Sequence, residues 1–511
     1  MATSTTLQPS TRAPRWFVWL GLIALIGYGF FISRHATVAA GGSDSSGYLN
    51  SAKLLASGKL EIPVRLPAGF GPPDAIGYSQ FQPLGFTAFS NDTRLIPTYP
   101  TGLPLHVALA SKLLGWSLGP LFLQILGSMA ALWLCYVVAR EFGLELSLAA
   151  ASVIILAACP VMIFSSTQPL SDLLATTWCL AAVWCALRAR RHAGWAIACG
   201  AAYGIAVLVR PTNTLLAGTL LVLLGLDWRR LALGVVGGLP CVVWLAFYNH
   251  TLYGGALRSG YDNWSVFFAV RYFKPASIYF LQWLATFLPV IVLALPFAAL
   301  FRRETRTRDL LALALWFAPI TGLYLFVAFS HEAWTCLRYI LPGIPALIIA
   351  AMFGVEAIAR SLAEGRRAPL VRRVAAVVLA GWAVGMSSYW SPRNSVFHIK
   401  HHEDAYITSA AAALAQFPKN AMVVCCHTSG AIYHYTDFPV LRFDGMPPGE
   451  FARYAGMAQR VGVPIYGLLF SAEEEQTFRE CPGEWTRLAT VDGVGLWQLV
   501  AAKPAPVPTL K

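Results

Sequence analysis

The sequence predicts a polytopic α-helical membrane protein of about eleven spans, with a small α/β domain at its C-terminal end on the outer face. Composition is the first reason. The chain has 511 residues, 57% of them hydrophobic and only 12% charged, whereas soluble domains carry about 25% charged residues. The second reason is a series of apolar runs long enough to cross a bilayer. The third is a change after residue 390, where helical and strand-like patterns begin to alternate.

The eleven runs fall at 15–32, 119–140, 147–165, 171–188, 194–209, 212–227, 231–249, 278–300, 310–329, 336–359 and 371–389. The first has no small-residue cleavage signature behind it and reads as a retained signal-anchor helix. With the N-terminus cytoplasmic, the connectors assigned to the inside hold Arg12, Arg15, Arg140, Arg188, Arg190, Arg191, Arg229 and Arg230. Later ones hold Arg302, Arg303, Arg306, Arg308, Arg360, Arg366, Arg367, Arg372 and Arg373. The short opposite connectors at 166–170 and 330–335 contain no Lys or Arg. This is the positive-inside pattern of a protein of the inner (plasma) membrane. It accounts for the net charge of +13 without nucleic acid.

An odd number of spans places the C-terminus outside, so the chain divides into a transmembrane domain, 1–389, and an extracytoplasmic domain, 390–511. Within the first, residues 33–118 form a large outer loop with a Pro/Gly/Phe-rich stretch (Pro67 to Pro83). The loop ends in TYPTGLPLHVALASKLLG (98–115), which is too short to cross and is expected to lie on the surface or re-enter. A second outer piece, 250–277, is rich in aromatics and holds Arg258, Arg271 and Lys274.

In the C-terminal region helical patterns at 403–416, 448–460 and 472–480 alternate with strand-like runs at 421–425, 439–443, 463–470, 485–491 and 494–500. Asp492-Gly493 has the chemistry of a hairpin turn between the last two runs. Of the ten cysteines, Cys425, Cys426 and Cys481 lie here, where Cys481 pairing with one of the others is an open expectation. The other seven lie in apolar stretches as small hydrophobes, and no CxxC occurs.

The stretch that the chain is organised around is GGSDSSGYLNSAKLL, 41–55. It sets Asp44 among small, adaptable residues and runs into a short helix carrying Tyr48. A carboxylate placed there can take a proton from a hydroxyl; equally, Asp44 or Ser43 can cap the helix. Arg210, in the VRPTN tip (209–213), sits between two apolar runs too short to span, so it is expected at membrane depth lining a polar cavity. Asp172 opens the fourth span on the same side, with an N-cap as its other reading. Arg338 and Tyr339 lie in HEAWTCLRYILP (331–342), beside His331 and Glu332. Two carboxylates and two guanidiniums from four separate segments are therefore expected on one leaflet. His398, His401, His402, Glu403 and Asp404 include metal-ligand residue types, but a run in sequence does not define a coordination geometry. A divalent cation is possible and no cofactor is firmly indicated, since there is no P-loop, no GxGxxG after a strand and no DxD.

Taken as an ordered set, these features resemble a membrane-embedded GT-C glycosyltransferase of the protein-mannosyltransferase and aminoarabinose-transferase type. The set comprises the acidic residue after the first span, YPTGLPL, the SD pair at 171–172, RPTN and WTCLRYILP. The similarity covers roughly residues 15–389. Relatives commonly carry an acidic pair in the first loop, whereas Asp44 is followed here by Ser45. The resemblance implies transfer of a sugar, with inversion, from a polyprenyl-phosphate-linked donor to an acceptor hydroxyl on the outer face. Asp44 would be the general base, and Asp172 would position the acceptor or another catalytic group. Arg210, Arg338 and Arg258 (or Lys274) would hold the donor phosphate, with Tyr48, Tyr261, His331 and Glu332 near the substrate. The sugar and the acceptor are left open. A transporter also places charges in a membrane and breaks helices at proline, and a non-catalytic relative could use the outer domain as a binding module.

Overall fold

The computed structural model describes residues 14–70, 77–88, 93–261, 264–300, 307–362 and 367–502. Arg12, Arg302, Arg303, Arg306, Arg366, part of the Pro67–Pro83 loop and the tail from 503 lie outside the described residues.

Helix α1 (Arg15–His35) leads through an extended segment into α2 (Asp44–Ala56). A small antiparallel sheet follows, of β1 (Ile62–Pro63), β2 (Phe86–Ala88) and β3 (Arg94–Pro97) in the order β1-β3-β2. Then come α3 (Gly102–Leu114), α4 (Gly119–Glu141), α5 (Leu146–Ala158), α6 (Pro160–Ser166), α7 (Ser171–Ala189) and α8 (Trp195–Val209). A 3-10 turn at Pro211–Leu216 leads to α9 (Ala217–Leu224), α10 (Trp228–Tyr253), α11 (Phe273–Phe287), α12 (Ile291–Leu300) and α13 (Thr307–Tyr324). A further 3-10 stretch, Trp334–Gly343, precedes α14 (Ile344–Leu362) and α15 (Ala368–Arg393).

Among the described residues six helices are long and apolar enough to cross a membrane, or eight if each of two bent pairs is one span. Several of the apolar runs expected as spans are bent or short helices. The run at 147–165 breaks at Cys159-Pro160 with a 63° bend, and the run at 278–300 breaks before Ile291 with a 100° bend. Proline removes a helical N–H and clashes with the preceding turn, which accounts for the first break and for Pro289 in the second. The runs at 194–209 and 212–227 form short helices, as does the 98–115 segment. The chain is an integral membrane protein.

Helix α7 is the axis of the bundle and is buried along most of its length, while α1 and α10 face outward. The short α8 is held to α10 by a seam of glycines. A Cβ on Gly200 would lie 1.8 Å from the Gly234 carbonyl oxygen, and one on Gly237 would lie 1.9 Å from that of Ile197. Small residues let the two backbones touch, the packing mode available where lipid offers no hydrophobic drive.

Several of the arginines assigned to the inside are paired with carboxylates. Arg188 and Arg191 each lie 3.1 Å from Glu141, Arg190 lies 2.9 Å from Asp309, and Arg372 lies 2.7 Å from Glu356 and 2.8 Å from Glu145. Asp172, at the other end of α7, is separated from Arg188 by roughly 24 Å at 1.5 Å per residue.

The C-terminal region begins with α16 (Ile399–Gln416) and builds a five-stranded sheet. Its elements are β4 (Met422–Cys425), α17 (Ser429–Tyr435), β5 (Val440–Arg442), α18 (Glu450–Val461), β6 (Ile465–Phe470), α19 (Ser471–Glu480), β7 (Gly483–Val491) and β8 (Val494–Ala502). The strand order is β5-β4-β6-β8-β7, with β4 parallel to β5 and β6, and β8 antiparallel to β6 and β7. Asp492 and Gly493 turn the last hairpin with φ of 47° and 81°, the left-handed values that a two-residue hairpin turn needs. Cys425, Cys426 and Cys481 are buried free thiols, so the cystine considered from sequence does not form here.

This region shares a hydrophobic core with the first large loop. Phe81, Phe86 and Leu95 pack with Val424, Phe443, Phe451 and Leu469. Helix α17, seven residues long, is strapped to α2: Asn50 Nδ2 donates to the Gly430 carbonyl (3.0 Å), and Lys53 donates to that of His434 (2.9 Å). His434 Nδ1 lies 2.9 Å from Asn50 Oδ1. The helix that starts at Asp44 is thus fixed from both sides, by the bundle and by the α/β region.

Candidate active site

Asp44 is the first residue of α2, and neither its carboxylate nor the Ser43 hydroxyl caps the helix. The carboxylate turns instead to Arg338, whose Nη2 is 2.5 Å from Asp44 Oδ2. Arg338 Nε also lies 4.0 Å from Asp172 Oδ2, and Asp172 pairs through its other oxygen with Arg210. Asp172 likewise caps nothing, although it sits in the first turn of α7. The four charges form one unbroken chain, Asp44–Arg338–Asp172–Arg210, drawn from α2, the Trp334–Gly343 stretch, α7 and the end of α8.

Local sequence explains each placement. Arg210 precedes Pro211, which disfavours helical geometry in the residue before it; Arg210 is extended (φ −148°, ψ 108°) and ends α8. The backbone there is set by α3: a Cβ on Gly102 would lie 2.3 Å from Val209 N, so only glycine lets the YPTGLPL segment meet the end of α8 this closely. Asp172 is 2% exposed, and a buried carboxylate is tolerated only with full pairing.

A cavity of about 240 Å³ opens beside this chain, and Asp44, Asp172 and Arg210 line it. Its walls are aromatic. Tyr48 donates to the Ser171 hydroxyl (3.0 Å) and packs on Tyr99 at 5.0 Å between ring centroids, and Tyr99 meets Tyr261 at 6.0 Å. Across from them Tyr324 and Tyr339 stack at 5.3 Å, with the Arg210 guanidinium 5.2 Å from the Tyr339 ring. Burial, and next the Asp44 carboxylate, push the Tyr48 and Tyr99 phenols up, which keeps both neutral and able to donate. Arg210 in the lining, Arg338 paired to the lining Asp44, two carboxylates and several phenol hydroxyls can hold an anionic leaving group and a polyhydroxylated ring.

The structure brings Asp44, Asp172, Arg210, Arg338, Tyr48 and Tyr261 together. It places Arg258 and Lys274 exposed and outside the cavity lining, although Tyr261 and Phe268 of the same 250–277 segment line it. His331 and Glu332 are also outside the lining: His331 packs on Tyr272 at 5.9 Å, and Glu332 is exposed. Tyr99, Tyr324 and Thr212 line the cavity without having been singled out in the sequence. Tyr99 lies in the quoted TYPTGLPL motif, so its signal was present; Tyr324 lies in an ordinary apolar run and carried none.

His398, His401 and His402 are exposed, with the His401 and His402 rings 6.0 Å apart, and Asp404 accepts from Thr37 Oγ1 (2.7 Å). Among the described residues the one group of three metal-ligating side chains within 4.8 Å is Cys426, His427 and Glu473. There, Glu473 already accepts from the backbone N–H of His427 and of Phe470, and lies 2.7 Å from His427 Nδ1.

No family model matches the sequence, and no curated protein matches it. Solved structures do. ArnT from Cupriavidus metallidurans, solved bound to undecaprenyl phosphate, is similar with a TM-score of 0.58 and 16% identity, over 97% of this chain and 100% of that one. The oligosaccharyltransferase of Archaeoglobus fulgidus, tethered to an acceptor peptide, is similar at a TM-score of 0.54 and 11% identity, over 91% of this chain and 71% of that one. The arabinofuranosyltransferase AftD from Mycobacteria is similar at 0.52 and 13%, over 96% of this chain and 40% of that one. The fold is the GT-C-like fold that these solved glycosyltransferases share. Within that class, the likeness to ArnT runs along essentially the whole of both chains.

Proposed function

We propose that the protein transfers a sugar from a polyprenyl-phosphate-linked donor to an acceptor hydroxyl, with inversion, at the outer face of the plasma membrane. The observation that carries this reading is the unbroken Asp44–Arg338–Asp172–Arg210 chain beside one aromatic cavity, in a bundle similar to enzymes of that kind. The lipid side of the reading draws on ArnT, whose structure holds undecaprenyl phosphate, and on the archaeal enzyme solved with a dolichol-phosphate.

In this mechanism the donor phosphate competes with the carboxylates for Arg210 and Arg338. Each guanidinium can hold phosphate oxygens through two parallel N–H bonds. As Arg338 turns toward the phosphate, Asp44 is released to accept the proton of the acceptor hydroxyl. The acceptor oxygen bonds to the anomeric carbon while the carbon–oxygen bond to phosphate breaks, and the charge growing on the phosphate is met by the same two cations. Asp172 keeps Arg210 in place and so acts on the donor side. Tyr48, Tyr99 and Tyr261 supply hydroxyls and ring faces to the sugar. Membrane lipids surround the bundle.

Mass spectrometry of lipids that co-purify with the protein tests the donor. The reading expects a polyprenyl-phosphate sugar that is displaced by added undecaprenyl phosphate. Absence of any polyprenyl phosphate species, together with unmeasurable affinity for undecaprenyl phosphate, would remove it.

A further inference from the structure

Glu403, from α16 of the C-terminal region, reaches the segment that leads into Asp44. Its carboxylate lies directly on the backbone of Gly41: a Cβ there would be 1.9 Å from Glu403 Oε2. The contact belongs to a wider clasp between this segment and the C-terminal region. Thr37 Oγ1 donates to Asp404, Ala40 N donates to the Tyr435 hydroxyl (3.0 Å), and Tyr406 lies over Gly41 and Gly42. Asp44 and Asp172 are both committed to guanidiniums, but among the described residues Glu403 makes no ion pair and no hydrogen bond through its carboxylate.

We propose that Glu403 is a proton-relay residue for the Asp44 site, taking from Asp44 the proton that leaves the acceptor hydroxyl and passing it to water outside the cavity. The inference rests on the sugar-transfer reading above. The proton balance is simple: the hydroxyl proton moves to the Asp44 carboxylate, then to the Glu403 carboxylate, then to solvent, and Asp44 is again a base for the next turnover. Glu403 acts through Asp44, so it is a positioning and relay group; it does not line the cavity.

The surroundings suit that role. Burial, then the Asp404 carboxylate, push Glu403 up to about 7, with Arg338 opposing and Asp44 adding to the rise. The titratable groups whose charge bears on it are Asp404 and Tyr406 on its own helix, Asp44 on α2, Arg338 on the Trp334–Gly343 stretch and Tyr435 on α17. A carboxyl that binds a proton this readily draws it off Asp44 and releases it near neutral pH. To receive the proton Glu403 must be ionised, so turnover rises with pH through about 7.

The test uses the full-length protein in lipid nanodiscs, with infrared titration of carboxyl groups and a pH profile of turnover. Turnover is read as polyprenyl phosphate released from the lipid-linked sugar pool extracted from membranes. The wild type is expected to show a carboxyl titrating near 7 that Glu403→Gln removes and that Asp44→Asn moves to lower pH, because Asp44 contributes to the rise. Glu403→Gln is expected to flatten the rising limb and lower turnover at its plateau on the order of tenfold, less than loss of a direct acid–base group. Glu403→Asp should restore a rising limb. If Glu403→Gln keeps both the titration and the wild-type pH profile, the relay is overturned, while the base assignment stands as long as Asp44→Asn is inactive. If Glu403→Gln does not fold, a titration in the wild type that Asp44→Asn leaves unmoved overturns it equally. Full turnover by Asp44→Asn removes the base assignment, and the relay with it.

Discussion

Arg338 and Asp44 meet across 2.5 Å although 294 residues separate them in the chain. The contact ties the first helix after the N-terminal span to the entry of α14. It also pairs the candidate base with a guanidinium that serves two carboxylates. A phosphate that binds Arg338 frees Asp44 as it binds, which couples occupation of the donor site to readiness of the base.

Arg338→Ala is therefore expected to weaken undecaprenyl phosphate binding by about thirtyfold, near the lower end of what is lost when one member of a buried charge pair is truncated. A binding titration on purified protein checks this. Arg338→Lys should recover part of the affinity, because Lys keeps the charge but lacks the two-pronged geometry. Unchanged affinity in the alanine variant would place the phosphate elsewhere.

Asp172 is 2% exposed and carries the inner end of the chain. Its removal leaves Arg210 buried with no counter-charge, a loss of about 3–5 kcal/mol for such pairs. Asp172→Ala should lower thermal stability markedly in detergent or nanodiscs, and Asp172→Ala with Arg210→Ala should regain a large part of it. If the double variant is as unstable as the sum of the singles, the two side chains are not coupled.

His434 reports on the clasp between α17 and α2. Burial, then the Lys53 ammonium, push it down to about 3, against about 6.5 in an unfolded chain. The unfolded state therefore binds the proton more readily throughout that window. Stability is full above about 6.5 and falls as the pH drops toward 3. One unit below 6.5 the loss is about 1.4 kcal/mol. Thermal denaturation at pH 7 and pH 5.5 should show this loss in the wild type and a smaller one in His434→Gln. An equal loss in both would assign the acid sensitivity to other groups.

The strand runs of the C-terminal region were legible because short strand-like runs between helical patterns and an Asp-Gly turn are local signals. Asp44, Asp172, Arg210 and Arg338 were legible for the opposite reason: charges in an apolar sequence stand out, and each needs a partner. What escaped was set by distance or by shortness. Helix α17 has seven residues, too few for a helical period to declare itself. An apolar run does not reveal the bend at Cys159-Pro160 or the one between Phe287 and Ile291. Glu403 stood in a run of His and acidic residues that invited a metal reading; its position against Gly41 depends on how α16 packs, which no local pattern encodes. Arg258 was legible as a cation but not as an exposed one.

The most direct test of the central claim is the turnover of Asp44→Asn in proteoliposomes. The protein would be supplied with the lipid-linked sugar pool extracted from membranes, and release of free polyprenyl phosphate would be followed with time. The account predicts that Asp44→Asn inserts and folds as the wild type does, retains undecaprenyl phosphate binding, and loses turnover by two orders of magnitude or more, roughly the contribution of a positioned base. Wild-type turnover in that variant would contradict it.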